Sequence, residues 1–139
     1  MNQFGELLAS GDGRRTNYFQ IGFQIVFTIA LVVWMVISGV DGSTLVGTII
    51  FFLIVDIGCI IFFGTRAASF IKVYENGIEG LAIRGIIGKR EFTCTYDQIA
   101  SVNLRSGRVT VNTKNFEKYT CHAGNAQQIR DKIQERVTA

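Results

Sequence analysis

The sequence predicts a membrane protein of the α+β class, in which a two-helix transmembrane hairpin precedes a small antiparallel β-barrel capped by a C-terminal α-helix. Three observations lead to this fold class. Two apolar runs, Ile21–Val40 and Leu45–Phe63, follow each other with four residues between them. Short segments of alternating apolar and polar residues come next, and a segment of helical period ends the chain.

Each apolar run is long enough to cross a bilayer, because about 20 residues at 1.5 Å rise span the ~30 Å hydrocarbon core. Asp56 is the only charged residue in either run. A surface helix of a soluble protein would carry a polar face, which both runs lack. We therefore expect helices at about 18–40 and 44–64, a cytoplasmic N-terminal segment at 1–17, and a polar domain at 65–139.

Basic residues flank the hairpin on one side only. Arg14 and Arg15 precede the first run, Arg66 and Lys72 follow the second, and the connecting residues 41–44 contain no basic residue. The positive-inside rule then predicts a multi-pass protein of the inner (cytoplasmic) membrane with both termini in the cytoplasm. A cleaved signal peptide is the rival interpretation, but its apolar region would be too long and a second apolar run follows at once.

The polar domain is basic. Residues 65–139 contain twelve Lys or Arg and seven Asp or Glu, a net charge of +5. Each basic residue near an anionic lipid surface contributes about 1 kcal/mol of binding free energy. Alternatively, the same charge simply keeps the domain on the inner side of the membrane. Nucleic-acid binding is not supported, because the basic residues are dispersed among acids and no aromatic stacking motif accompanies them.

Composition argues against catalysis and metal binding. The three cysteines, Cys59, Cys94 and Cys121, are odd in number and show no CxxC spacing, which disfavours a disulfide framework and a zinc site. His122 is the single histidine, which disfavours a Ser-His-Asp catalytic triad and a His-rich metal site. We expect no enzymatic activity, no cofactor and no metal.

The polar domain contains six segments that predict β-strands, separated by turns rich in Gly, Asn, Asp and Ser. They are Phe70–Tyr74, Ile78–Arg84, Arg90–Tyr96, Ile99–Arg105, Arg108–Thr113 and Phe116–His122. Residues 1–16, with Phe4, Leu7 and Leu8, are more typical of a short amphipathic helix than of a strand.

The last segment predicts a helix at about 126–137. Asn125 is a good N-cap, and Gln128 follows three residues later in the manner of a capping box. Four residues form one apolar stripe: Ala126, Ile129, Ile133 and Val137. We expect this apolar stripe to pack against the open end of the small barrel.

Several of these stretches together resemble bacterial pleckstrin-homology-like (PH-like) domains, many of which follow a pair of membrane helices. The resemblance rests on Ile78–Arg84, on the turn Gly85–Arg90 and above all on Tyr96–Val102, and it covers about residues 67–138. The family fold has seven strands, whereas six are predicted here. The seventh comes either from a split of Phe70–Arg84 or from residues 1–16.

The resemblance implies a binding or assembly module. Pleckstrin-homology domains often bind phosphoinositides through basic residues around the first hairpin, and Ile86 and Ile87, flanked by Arg84, Lys89 and Arg90, offer suitable chemistry. The isoleucines would enter the membrane interface while the cations meet the phosphates of anionic headgroups. Alternatively, the isoleucines pack on the barrel or on a neighbouring subunit, since bacterial members are associated with ring-like homo-oligomers.

Asp56 is the second candidate site. It lies about 12 Å below the cytoplasmic boundary, and an antiparallel hairpin places Thr28 opposite it and Gln24 one turn nearer the cytoplasm. An ionisable group at this depth is a functional candidate. It is either part of a proton or ion relay, or a hydrogen-bonded carboxyl that holds the hairpin or its subunits together. The second reading is favoured, because the membrane runs contain one acid and no basic partner.

Two function classes follow. The preferred one is a non-catalytic, membrane-anchored interaction or assembly module that presents a PH-like domain at the cytoplasmic membrane face. The alternative is an accessory subunit of a membrane transport or secretion complex, in which Asp56 has an intramembrane role. Replacing Asp56 by Asn separates them, because only the alternative predicts loss of transport.

Overall fold

Two long antiparallel helices form the first half of the protein. The structure is a computed structural model and describes residues 3–138, so the outermost residues of the predicted segments 1–17 and 65–139 lie outside the described residues. Helix α1 spans Arg14–Ile37 and helix α2 spans Gly42–Ala67. Both helices are long and apolar enough to cross a membrane, and α1 begins four residues earlier than predicted.

The link between the helices is a capped turn. Gly39 adopts φ +72°, a left-handed conformation that glycine tolerates without strain, and so reverses the chain after α1. Asp41 is the N-cap of α2, since its carboxylate accepts hydrogen bonds from the Thr44 backbone N–H at 2.9 Å and from the Ser43 hydroxyl at 2.7 Å. Sequence and geometry therefore agree on a tight helical hairpin.

The segment before the hairpin is a strand, and its prediction as an amphipathic helix was wrong. Strand β1 covers Leu7–Asp12 and pairs antiparallel with β2, which covers Phe70–Tyr74. Ala9 is buried in the core, and Phe4 packs on Tyr74 with 6.3 Å between ring centroids. The helical hairpin is thus an insertion between two neighbouring strands of one sheet.

The remaining strands lie close to their predicted positions. They are β3 (Gly77–Arg84), β4 (Gly88–Thr95), β5 (Ile99–Arg105), β6 (Arg108–Thr113) and β7 (Lys118–His122). A short 3-10 helix, Tyr96–Gln98, separates β4 from β5. Phe116 was predicted within the last strand but lies in the preceding turn, where it is 97 % exposed and has φ +65°.

The seven strands form one curled antiparallel sheet. Its order is β1-β2-β3-β7-β6-β5, and β4 pairs with the other edge of β3. In chain order the strands are two meanders, β1 to β4 and β5 to β7, which meet where Ile83 of β3 pairs with Thr120 of β7. The curl encloses a single core of aliphatic side chains, including Ile71, Ile78 and Val109.

Helix α3 (Ala126–Thr138) closes the open side of this sheet, as its apolar stripe predicts. Ile129 and Ile133 are fully buried in the common core, while Val137 is half-buried. Asn125 precedes the helix, and its side-chain amide donates to the carbonyl of Ser10 in β1 at 3.0 Å and to Gln128. The first strand is therefore held by β2 on one side and by the start of α3.

Both long helices attach to the same end of the sheet, which we call the helix-attached end. Gly13 alone separates β1 from α1, and only Ala68 and Ser69 separate α2 from β2. The two connections touch, because the Gly13 N–H donates to the Ser69 carbonyl at 3.2 Å. The β2–β3 turn at Glu75 and Asn76 lies at the opposite end of the same strands.

Candidate functional site

A polar cluster lies in the middle of the helical hairpin. One carboxylate oxygen of Asp56, Oδ1, accepts hydrogen bonds from the Thr28 hydroxyl at 3.0 Å and from the Gln24 amide at 3.2 Å. The structure therefore brings together the three residues that antiparallel helix geometry placed at similar depth. Asp56 belongs to no ion pair within residues 3–138.

These bonds join α1 to α2 across an otherwise apolar contact. If the hairpin spans a membrane, each interhelical hydrogen bond there contributes on the order of 0.6–2 kcal/mol. A carboxyl held by a hydroxyl and an amide can position the helices. A proton relay would need further charged groups, and the other charged residues of α1 and α2 are Arg14, Arg15 and Arg66 at the helix ends.

The second candidate, the β3–β4 loop, lies at the helix-attached end. Phe70, the first residue of β2, lies at this end and pairs with Leu81 of β3. Strand β3 continues to Arg84, three residues beyond Leu81, and so extends about 10 Å past the start of β2 at 3.3 Å per residue. Ile86 and Ile87 follow at the tip and are 71 % and 62 % exposed. They do not pack on the sheet, so the membrane interface and a neighbouring subunit are the alternatives that remain for them.

The loop differs in two respects from the arrangement that the resemblance implied. It joins the third and fourth strands, whereas the first strand pair of the sheet, β1–β2, is interrupted by the helical hairpin. Arg90 is also turned away from the tip. Its guanidinium lies 3.5 Å from the Glu117 carboxylate and 5.3 Å from the Tyr119 ring centroid. A hydrogen bond from Tyr119 and the charge of Arg90 both lower the pKa of Glu117.

Positive charge is concentrated at the helix-attached end. The basic residues in the helix connections, the β3–β4 loop and the β5–β6 turn are Arg14, Arg15, Arg66, Arg84, Lys89, Arg105 and Arg108. The acid among them, Asp12, accepts from the Arg14 backbone N–H and lies 3.8 Å from its guanidinium. The opposite end carries Glu6 and Glu75. The helix connections and the β3–β4 loop are therefore more basic than the β2–β3 turn.

A cavity of about 520 Å³ lies between the helices and the sheet. Its walls come from four segments: the end of β1, the start of α1, the connection to β2, and the loop before α3. Its polar side chains are those of Ser10, Asp12, Arg14, Arg15, Lys72 and Asn125. No local sequence pattern predicts this cavity, because it forms only where these distant segments meet.

His122 lies at the same junction in an unusual environment. Its ring Nε2 is buried and has no hydrogen-bond partner among residues 3–138, while its backbone N–H donates to the Ser69 hydroxyl at 2.7 Å. Arg108 is its cross-strand neighbour. Burial, followed by the positive charges of Arg66 and Arg108, lowers the pKa of His122 from 6.5 to about 4. The imidazole is therefore neutral in the folded protein at pH 7.

We expect His122 to make the folded state sensitive to acid. The unfolded chain takes up this proton near pH 6.5, whereas the folded chain resists it until about pH 4. Stability is therefore lost as the pH falls through this window. Thermal unfolding of the full chain in detergent, measured from pH 7.5 to 4, should show a steeper loss for the wild type than for His122→Gln. Parallel curves would contradict this assignment.

The described residues contain no group of three or more His, Cys, Asp or Glu side chains placed to hold a metal ion. Comparison of the chain with protein-family models, with curated protein sequences and with solved structures gives no match.

Proposed function

We propose that this protein is a non-catalytic, membrane-anchored interaction module whose helical hairpin crosses the membrane and whose curled sheet lies at the cytoplasmic face. One observation carries the proposal: two helices of spanning length emerge from the same end of one sheet, between β1 and β2. Because β1 and β2 pair, both must lie on the same side of the membrane. An even number of crossings meets this condition.

The flanking charges support the cytoplasmic side and an inner-membrane location. Arg14, Arg15 and Arg66 follow the positive-inside rule, and the 38–41 turn between the helices has no basic residue. The PH-like assignment is supported by the seven strands in meanders of four and three with a C-terminal helix. Strand β1 supplies the seventh strand of that family fold.

The partner that best fits the helix-attached end is the anionic surface of the same membrane. The cations there each contribute about 1 kcal/mol near anionic lipid, and full burial of one isoleucine side chain contributes about 1.5–3 kcal/mol. Ile86 and Ile87 project towards the membrane beside Arg84 and Lys89. The sheet is tethered by two very short connections, so these contacts form without the cost of recruiting a free domain.

The proposal is tested by the depth of two fluorophores at opposite ends of β3. A cysteine replaces Ile87 in one variant and Asn76 in the other, and each carries an environment-sensitive dye in proteoliposomes of phosphatidylglycerol and phosphatidylcholine. Both variants carry Cys59→Ala, because Cys59 is only half-buried in α2. Burial raises the pKa of the Cys121 thiol to about 12 and also raises that of Cys94, so labelling of these two native cysteines is weak. We expect nitroxide-labelled lipid to quench the dye at Ile87 several-fold more than the dye at Asn76.

Replacing the anionic lipid by phosphatidylcholine should reduce the difference, because the electrostatic contribution is then lost. Equal quenching at the two positions in anionic vesicles would contradict docking of the sheet on the membrane. That result would not contradict the membrane anchor. The anchor is tested separately by the resistance of the chain to alkaline extraction.

A second candidate function is the accessory subunit of a transport or secretion complex. The observation that favours it is the polar cluster of Asp56, Thr28 and Gln24, which lies within the proposed membrane-spanning hairpin. In that role the sheet would be a cytoplasmic cap on the hairpin.

A further inference from the structure

Asp56 uses only half of its hydrogen-bonding capacity inside the hairpin. Both bonds from α1 reach the same oxygen, Oδ1. The second oxygen, Oδ2, has no hydrogen-bond partner within residues 3–138 and is not buried by them. The carboxyl therefore belongs partly to the α1–α2 contact and partly to the outer surface of the hairpin.

The neighbouring surface of α2 has the spacing of a helix-packing seam. Six residues alternate at intervals of three and four: Val46, Ile49, Leu53, Asp56, Ile60 and Phe63. Ile49, Asp56 and Phe63 are half-buried at the edge of α1, while Leu53 and Ile60 lie exposed beside them. An apolar heptad pattern with one polar residue is typical of a seam whose register that residue sets.

A bilayer makes the unpaired oxygen costly. Asp56 lies close to the middle of α2, and the inference rests on the membrane placement proposed above. Hydrocarbon offers no hydrogen bonds, so a polar group there needs a hydrogen-bond partner that lies at the same depth in the bilayer. Because Oδ1 accepts both bonds from α1, the outer Oδ2 of a neutral carboxyl is a hydroxyl, which can donate to or accept from the Oδ2 hydroxyl of a second carboxyl.

Symmetry supplies that second group. A twofold axis along the membrane normal places identical residues of two copies at identical depth and makes the contact self-complementary. We propose that α2 forms a twofold contact between two copies of this chain, in which the two Asp56 carboxyls hydrogen-bond across the Val46–Phe63 seam. The protein would then be a dimer, or a larger assembly built on this contact.

Disulfide cross-linking maps the seam. Single cysteines replace Leu53 or Ile60 on the seam, and Ile54 or Ile61 beside it on the helix surface, in a full-length chain that carries Cys59→Ala. Helical spacing separates the two pairs by about 100°. Oxidation in proteoliposomes at low protein density should give cross-linked dimers with the first pair and few with the second. Equal yields from all four positions, or no cross-link from any, would overturn the proposal.

The role of the carboxyl is separated from that of the hairpin by matched variants. Asp56→Leu should weaken dimerisation about tenfold, equal to about 1.4 kcal/mol, in a dilution series read by energy transfer between labelled copies. Asp56→Asn should also weaken it, because an amide whose oxygen accepts from α1 presents only an NH2 group to the partner, and NH2 cannot accept a hydrogen bond. Thr28→Val removes a bond within the hairpin and leaves the outer oxygen untouched, so it should dimerise like the wild type.

Two outcomes distinguish the possible failures. If Thr28→Val weakens dimerisation as much as Asp56→Leu, the carboxyl only holds the hairpin together and the proposed contact is wrong. If alkaline treatment extracts the wild-type chain from the vesicles, the membrane placement itself fails, and this inference fails with it.

Discussion

A polypeptide of residues 65–139 alone should not fold. Without β1, the backbone of β2 loses one of its two neighbours along Phe70–Tyr74, and core side chains that β1 and Phe4 cover become exposed. A domain of this size has only about 3–5 kcal/mol of stability from its core, so we expect the loss of this strand to unfold it. Circular dichroism should show no cooperative thermal transition for this fragment.

Restoring β1 without the helices should restore the fold. Gly13 and Ser69 are hydrogen-bonded neighbours, so residues 1–13 can be joined to residues 68–139 by a short Gly/Ser linker. We expect this linked chain to be monomeric and to unfold cooperatively. A cooperative transition in the fragment 65–139, equal to that of the linked chain, would show that β1 is dispensable.

The second large effect is expected at Gly13, the single residue between β1 and α1. A Cβ added there would lie 2.5 Å from the Arg66 carbonyl oxygen, 2.7 Å from the His122 Cβ and 2.9 Å from the Asn17 side chain. Overpacking of this kind costs about 1–3 kcal/mol. Gly13→Ala should therefore lower the melting temperature of the full chain in detergent by roughly 4–8 °C per kcal/mol.

Gly124→Ala is the matched control. An added Cβ at Gly124 meets no atom within 4 Å, and the residue does not have a positive φ. Alanine at such a site usually raises the free energy of unfolding by about 0.4–1 kcal/mol, because it reduces the conformational entropy of the unfolded chain. The two substitutions should thus shift the melting temperature in opposite directions, and a neutral Gly13→Ala would contradict the tight junction.

Local sequence patterns predicted most of the fold, because most elements carry their own signal. The apolar runs, the alternation in β5 and β6 and the stripe of α3 are each readable within a dozen residues. Strand β1 was missed for a physical reason. Its partner β2 lies beyond the whole hairpin, and Leu7 and Leu8 side by side do not alternate as an isolated strand would.

The candidate sites divide in the same way. The neighbours of Asp56 follow from simple helix geometry, so Thr28 and Gln24 were predictable from residue numbers and the position of the turn. The direction of the β3–β4 loop required the register of β2 against β3. The cavity beside Arg15 and Lys72 required the position of α3 as well. Features built by several distant segments cannot be derived from any one of them.

The insertion of the helices between β1 and β2 also sets an order of events during synthesis. β1 leaves the ribosome first, but residues 13–69 must be made and inserted before β2 can pair with it. At about 5–20 residues per second this interval lasts seconds. In the proposed membrane placement, a chain that inserts only one helix would leave β1 and β2 on opposite sides of the membrane. Completion of the sheet would then report that both helices have crossed, and an incomplete sheet would expose that chain to proteolysis.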